Sequence, residues 1–261
     1  MQMRQLKIAV VSGRYPATPL FSYENHKAYC DKWGLYYINC SWPGRHSSKF
    51  FNKIEYVLEY IDLFDYIFWM DDDAFFVDFS FDLTNYLPKG DSFLSICSSP
   101  SYKKIKTYVS SGQFFIKCDN LGKEFLQDVY NSDRVEVKEW WGNNEREVGY
   151  YTDGDQDVMV YHLRVNEKYS HYFDLHDYTD FNCRLEDLFN NTKKIFLVHF
   201  AGATGSKKAE CQKAAKILNR RENLIPGNES FGFNDSVNDG RPNLLFVFYK
   251  WLRSRIKFRV S

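Results

Sequence analysis

The sequence predicts an α/β protein with a mixed, mostly parallel central sheet flanked by helices. Three observations carry this expectation. Strand and helix signals alternate from the N-terminus in a β-α-β-α-β order, which builds parallel sheets that take ligands at the carboxyl ends of their strands. The apolar run Tyr66-Ile67-Phe68-Trp69-Met70 stops abruptly at three adjacent carboxylates, Asp71, Asp72 and Asp73. A second strongly apolar strand, 195–200, also carries chemistry near its end, at His199.

Residues 7–13 read as the first strand, and Tyr15-Pro16-Ala17-Thr18-Pro19 leads to a helix over 23–33 that Gly34 stops. The second strand is 35–40. Residues 49–64 place apolar side chains at three- and four-residue spacing, an amphipathic helix. Strand 66–70 follows. Farther along, 93–98 and 113–117 read as strands, 121–131 and 156–165 as helices, and 171–175 as extended. The polar, glycine-punctuated stretch 142–154 reads as a loop over a site. There is no repeat, low-complexity segment or linker, so the simplest organisation is one domain over 1–240 with a C-terminal segment, 241–261.

The 261 residues include 34 basic and 34 acidic side chains, a balance that excludes a global polyanion-binding field and with it nucleic acid as partner. An aromatic content of 18% suits apolar, stacking-prone clefts. The six cysteines show no paired spacing. Cys40, Cys97 and Cys118 lie in or beside apolar runs and are expected to be small buried hydrophobes with reduced thiols. The chain enters its first strand without a secretory leader, and no apolar run reaches the length of a membrane span; the expected location is cytoplasmic.

Asp71 and Asp73 point to the same side of an extended chain, which suits two oxygen ligands on one divalent ion. The plainer alternative is a solvated turn or helix cap, but the apolar flanks argue against a solvated loop. A cation held by two carboxylates keeps positions open for phosphate oxygens, so nucleotide or nucleotide-sugar chemistry leads. A histidine such as His199 is ordinarily satisfied by a core carbonyl. Here a glycine-rich turn with Lys207 and Lys208 follows, and close backbone approach with flexible ammonium groups is what a diphosphate requires. As third ligand beside carboxylates, an imidazole suits manganese better than calcium.

Trp69-Met70-Asp71-Asp72-Asp73-Ala74-Phe75-Phe76 resembles the D-x-D segment of the retaining glycosyltransferases of family 34, the α-galactosyl-, α-mannosyl- and xyloglucan α-xylosyltransferase relatives. Three more segments are similar to that family's in the same order: Ser110-Ser111-Gly112-Gln113-Phe114-Phe115-Ile116, Gly154-Asp155-Gln156-Asp157 and His199-Phe200-Ala201-Gly202. Together they span roughly residues 7–210 and are specific in combination. The resemblance implies a GT-A, Rossmann-like fold with Asp71, Asp73 and His199 holding Mn2+, or Mg2+ in its place. It implies that Ser12, Gly13, Arg14 and Asp72 meet the nucleotide-sugar donor and that Gly112 and Gln113 border its sugar. Gly202 and Lys207 or Lys208 would serve the leaving diphosphate. Asp155 and Gln156 would position acceptor and donor sugar, with Asp155 and Asp157 as candidate catalytic carboxylates.

The implied activity is transfer of a hexose or pentose, from a UDP-linked donor, to a hydroxyl of a glycan or lipid-linked oligosaccharide with formation of an α-linkage. The family's membrane anchor is missing, and Ala203 stands where a cysteine often follows the HF-small-Gly turn. The chain looks more like a compact bacterial or viral member, so eukaryotic acceptors do not carry over.

Residues 244–259 interleave Lys250, Arg253, Arg255, Lys257 and Arg259 with aromatic and aliphatic side chains. Such a segment fits an anchor on an anionic membrane surface, on the inner face if the chain is cytoplasmic, or else a closing helix. Two rival functions remain open at this point. A calcium-dependent glycan-binding module would use the aromatic content but leaves the His199–Lys208 turn unexplained. A haloacid-dehalogenase-type phosphotransferase wants Thr or Val two residues after the second Asp, where this chain has Phe75.

Overall fold

The computed structural model describes residues 5–100, 108–189, 194–201 and 204–227, all within one unit, Met1–Phe231. The segment 241–261 and Gly202 lie outside the described residues.

The chain opens with β1 (Ile8–Gly13), α1 (Ser22–Trp33), β2 (Tyr36–Cys40), α2 (Asn52–Tyr60) and β3 (Tyr66–Asp71). Every residue of β1 is buried, which explains an apolar run in place of alternation: the strand is covered on both faces. α1 ends where Gly34 turns left-handed, φ 66°, and returns its N–H to Cys30 O. The expected helix 49–64 is an α-helical centre with tighter turns at Lys49–Phe51 and Ile61–Leu63.

Next come β4 (Ala74–Phe76), β5 (Leu94–Ser98), β6 (Val109–Lys117), α3 (Asn120–Asn131), α4 (Arg134–Val148), α5 (Asp155–Val165), α6 (Glu167–Ser170), β7 (Phe173–His176), α7 (Tyr178–Phe181), β8 (Leu197–His199) and α8 (Thr204–Leu218). The central sheet has the order β2-β1-β3-β6-β5-β7. β1 is parallel to β2 and β3, and β5 to β7, while β6 is antiparallel to both its neighbours. The sheet is therefore mixed and mostly parallel, with β6 alone reversed.

One expectation needs correction. The stretch 142–154 is not one loop: α4 continues to Val148 and only 149–154 is irregular. Asp133 caps α4 by accepting the Val135 N–H, and Val137, Trp141 and Val148 bury one narrow face. The other faces are polar and solvated, so composition imitated a loop. The apolar strand near 195–200 stands apart from the central sheet: β8 pairs antiparallel with β4, Ala74 opposite His199. Cys40 and Cys97 are fully buried and burial pushes their thiols up, whereas Cys118 is only half-buried. No helix among the described residues is long and apolar enough to cross a membrane.

The other edge of β4 is closed by side chains of α1. Asn25 donates to Phe76 O at 3.0 Å and accepts the Phe76 N–H at 2.8 Å, and His26 Nε2–H donates to Ala74 O at 2.8 Å. Tyr29 stacks on Phe76 with ring centroids 3.8 Å apart. α1 thus holds the strand that follows the acidic turn. Burial lowers the His26 imidazole from 6.5 to about 4, against the opposing pull of the Ala74 carbonyl and Asp73. The fold favours the neutral ring, so this contribution is complete above pH 6.5 and is lost as pH falls toward 4. It amounts to about 3 kcal/mol. His26→Gln, which keeps a donor for Ala74 O, should lose about 2 kcal/mol less stability than wild type between pH 7 and pH 4.5 in denaturant unfolding. Parallel losses would refute the assignment.

Candidate functional site

β1 and β3 end side by side, with Gly13 in register between Cys40 and Asp71. Gly13 adopts φ +151°, and a Cβ there would lie 2.0 Å from Cys40 O, so only glycine lets the strands stay this close as the chain leaves the sheet. A cavity of about 230 Å³ opens at this edge. Gly13, Arg14, Phe50, Lys53, Asp71, Asp72, Asp73, Asp155 and Lys207 are among the residues that line it.

The short β4–β8 ladder brings His199 to the acidic turn. One ligand atom each from Asp71, Asp73 and His199 lie within 4.8 Å of one another. His199 Nε2 is 3.1 Å from Asp73 Oδ1 and 3.8 Å from Asp71 Oδ2. Asp73 Oδ1 is buried without a hydrogen bond of good geometry, with that ring nitrogen 3.1 Å away. A buried carboxylate oxygen in that state wants a cation, and two carboxylates with one imidazole are a donor set that a divalent metal accepts. Gly112 supplies the room: a Cβ there would lie 2.5 Å from His199 Cε1 and 3.4 Å from Asp71 Oδ2. The residues present fit a metal.

Two ammonium groups face the same carboxylates. Lys207, in the first turns of α8, is buried in an ion pair with Asp73 Oδ2, while Lys208 is exposed. Lys53 lies 3.1 Å from Asp71 Oδ1 and 3.3 Å from Asp155 Oδ2, and donates to Ser111 O at 3.0 Å. Asp71 Oδ1 also accepts from Trp69 Nε1 at 2.8 Å. Burial acts to raise Asp73, but His199 and Lys207 hold its carboxyl well below the usual range. For Lys53, burial alone would lower the ammonium; Asp155 and Asp71 outweigh it and push it above the usual lysine range. Burial raises Asp155, with Lys53 offsetting only part, and burial with Asp73 beside it raises Asp72 to about 6.

The structure does not bring every expected residue to the cavity. Ser12 is buried within β1 and does not line it. Gly112 faces His199, so strand alternation sends Gln113 to the other face, where it is fully buried and neither amide atom has a hydrogen-bond partner. Gln156 docks on β6 by accepting the Ser111 N–H at 3.3 Å. Asp157 is used up in capping α5: its carboxylate accepts the Thr152 N–H at 2.7 Å and the Gly154 N–H at 3.3 Å. Sequence reasoning missed Lys53, although a signal exists: it sits on the buried stripe of α2 with Tyr56, Val57 and Tyr60.

No protein-family model and no curated protein matches the chain. Among solved structures it is similar to the crystal structure of a glycosyltransferase involved in the glycosylation of the major capsid of PBCV-1. The TM-score is 0.56 at 14% identity, over 77% of this chain and 97% of that one. The chain has the fold of a glycosyltransferase. The apo-form glycosyltransferase GlyE of Streptococcus pneumoniae TIGR4 aligns at TM-score 0.49 and 14% identity, over 82% of this chain and 62% of GlyE.

Proposed function

We propose that the chain is a metal-dependent, retaining glycosyltransferase of GT-A type. It moves a hexose or pentose from a nucleotide sugar, UDP-linked on the family 34 resemblance, to a hydroxyl of a glycan or lipid-linked oligosaccharide, leaving an α-linkage. The observation that carries this is the convergence of Asp71, Asp73 and His199 at the carboxyl edge of β1 and β3, inside a glycosyltransferase fold. Those three residues would hold the cation, with manganese favoured by the mixed carboxylate and imidazole set. When bound, the cation offsets charge on the departing diphosphate.

The chain's own groups account for the rest. Lys207 places an ammonium beside Asp73, where it would also meet diphosphate oxygens. Arg14 extends from the end of β1, where the nucleotide would lie. Asp155, at the N-terminus of α5, is held on Lys53 and would orient the acceptor hydroxyl or the donor sugar. The resemblance supports same-face attack, with the departing phosphate oxygen taking the acceptor proton. Segment 244–259 would hold the enzyme on an anionic membrane surface; deleting 244–261 should abolish pelleting with anionic liposomes.

The deciding experiment is nucleotide release from a panel of UDP- and GDP-sugars, with manganese or with chelator, on wild type and Asp73→Ala. Release from one sugar nucleotide, lost with chelator and with the substitution, is the expected result. Absence of release together with absence of any manganese-dependent nucleotide binding would overturn the proposal in favour of a calcium-dependent glycan-binding module.

A further inference from the structure

His199 has a second nitrogen, turned away from the carboxylates, and its surroundings decide whether the first can bind a cation. Asn182 Oδ1 lies 3.0 Å from His199 Nδ1, and Arg184 Nη1 lies 2.8 Å from it. Arg184 Nη1 also donates to Asn182 Oδ1 at 2.9 Å. Asn182 is fully buried. The turn carrying both residues is fastened in place: His199 N–H donates to Cys183 O at 2.8 Å, and Arg184 N–H to Asp187 Oδ2 at 2.7 Å.

A neutral imidazole carries one proton, so these contacts permit two arrangements. A guanidinium can only donate. With Nδ1 accepting from Arg184, the ring proton sits on Nε2, aimed at Asp73 Oδ1, and no lone pair faces the carboxylates. With Nδ1–H donating to Asn182 Oδ1, the Nε2 lone pair points between Asp71 and Asp73, as a ligand must. The amide of Asn182 is not free to turn, because its NH2 group would then meet the guanidinium donor to donor.

We propose that Asn182 is the positioning residue that makes His199 a metal ligand, and that Arg184 fixes the Asn182 amide with its oxygen toward the ring. This rests on the metal site proposed above. Binding of the cation then favours the Nδ1–H form, and Arg184 keeps only its bond to Asn182. Neither residue lines the cavity; Arg184 also feels the charge of Asp73, whereas uncharged Asn182 acts on cation affinity through the ring.

The test measures Mn2+ affinity by electron paramagnetic resonance, without nucleotide sugar, on wild type, Asp73→Ala, Asn182→Leu and Asn182→Asp. Thermal unfolding in chelator checks the fold of each. Asp keeps an acceptor at the position and Leu removes it. Asn182→Leu should bind Mn2+ roughly 10–100-fold more weakly, and Asn182→Asp should stay within about threefold of wild type. Nitrogen-15 spectra with diamagnetic Mg2+ should place the wild-type His199 ring proton on Nδ1.

Three results would overturn the inference: wild-type affinity in Asn182→Leu, an Asn182→Asp variant as weak as the Leu variant, or a Mg2+-loaded ring protonated on Nε2. If Asn182→Leu does not fold, the Asp variant and the ring spectra still decide. Wild type that binds no Mn2+ would remove the metal site itself, and this inference with it. Wild-type binding lost in Asp73→Ala but untouched in Asn182→Leu would overturn the inference alone.

Discussion

Gly112→Ala should abolish cation binding and donor turnover while leaving the protein folded. The added methyl would sit 2.5 Å from His199 Cε1 and 3.0 Å from Nδ1, closer than real Cβ atoms come to any neighbour. The obstacle is not the loose end of a long side chain. It is an imidazole held between Asn182 and Arg184 on one side and Asp73 on the other, so the ring must move away from its ligand position. Metal sites hold their ligands to within about 0.2 Å, so a shift of that origin should cost at least about 100-fold in Mn2+ affinity. Gly112 has no left-handed backbone to protect, and alanine in a strand costs or gains only about 1 kcal/mol. A Mn2+ titration beside a thermal melt separates the two effects. Unchanged affinity would remove His199 from the ligand set.

Lys53→Met should produce a large loss of stability. It leaves Asp71 and Asp155 facing each other without the ammonium that joins them, and Asp155 is buried. Removing one member of a buried ion pair costs about 3–5 kcal/mol, which for a chain of this size lowers Tm by roughly 10 °C. Turnover should fall at least about 100-fold, because Asp155 loses the group that fixes its position. Saturating Mn2+ should return part of the lost Tm, since a cation can take up the charge of Asp71 but not that of Asp155. An unchanged melting temperature in chelator would show that the lysine does not carry this load.

Much of the architecture was legible because central strands of the sheet are buried on both faces, while the edge strands β2 and β7 are only partly covered. β1 and β3 therefore read as unbroken apolar runs, and the acidic turn after β3 stood out against them. α4 was not legible, since its buried face is three residues wide in an otherwise solvated helix. Asp155 and Asp157 looked equivalent in Gly154-Asp155-Gln156-Asp157, but the third position of a helix returns its carboxylate to the chain's own N–H groups. The choice between Lys207 and Lys208 turned on where α8 begins, because consecutive residues of a helix point about 100° apart. Asn182 and Arg184 offered no pattern at all. Their link to His199 crosses 15 to 17 residues of short turns and exists only in three dimensions.

The ion pairs at the cavity have a consequence for the order of events in the life of the polypeptide. Lys53 and Lys207 come with the chain, and they are already in place against Asp71, Asp73 and Asp155. Small metal-dependent domains stay unfolded until their ion arrives. This chain carries its own counter-ions at the carboxylates, so its sheet does not call for a metal to neutralise them, and on the proposed function the ion would enter a site already formed. If the proposed site is correct, added divalent ion should change activity far more than it changes the folded fraction, to which it would add only the stabilisation that binding to the folded state brings.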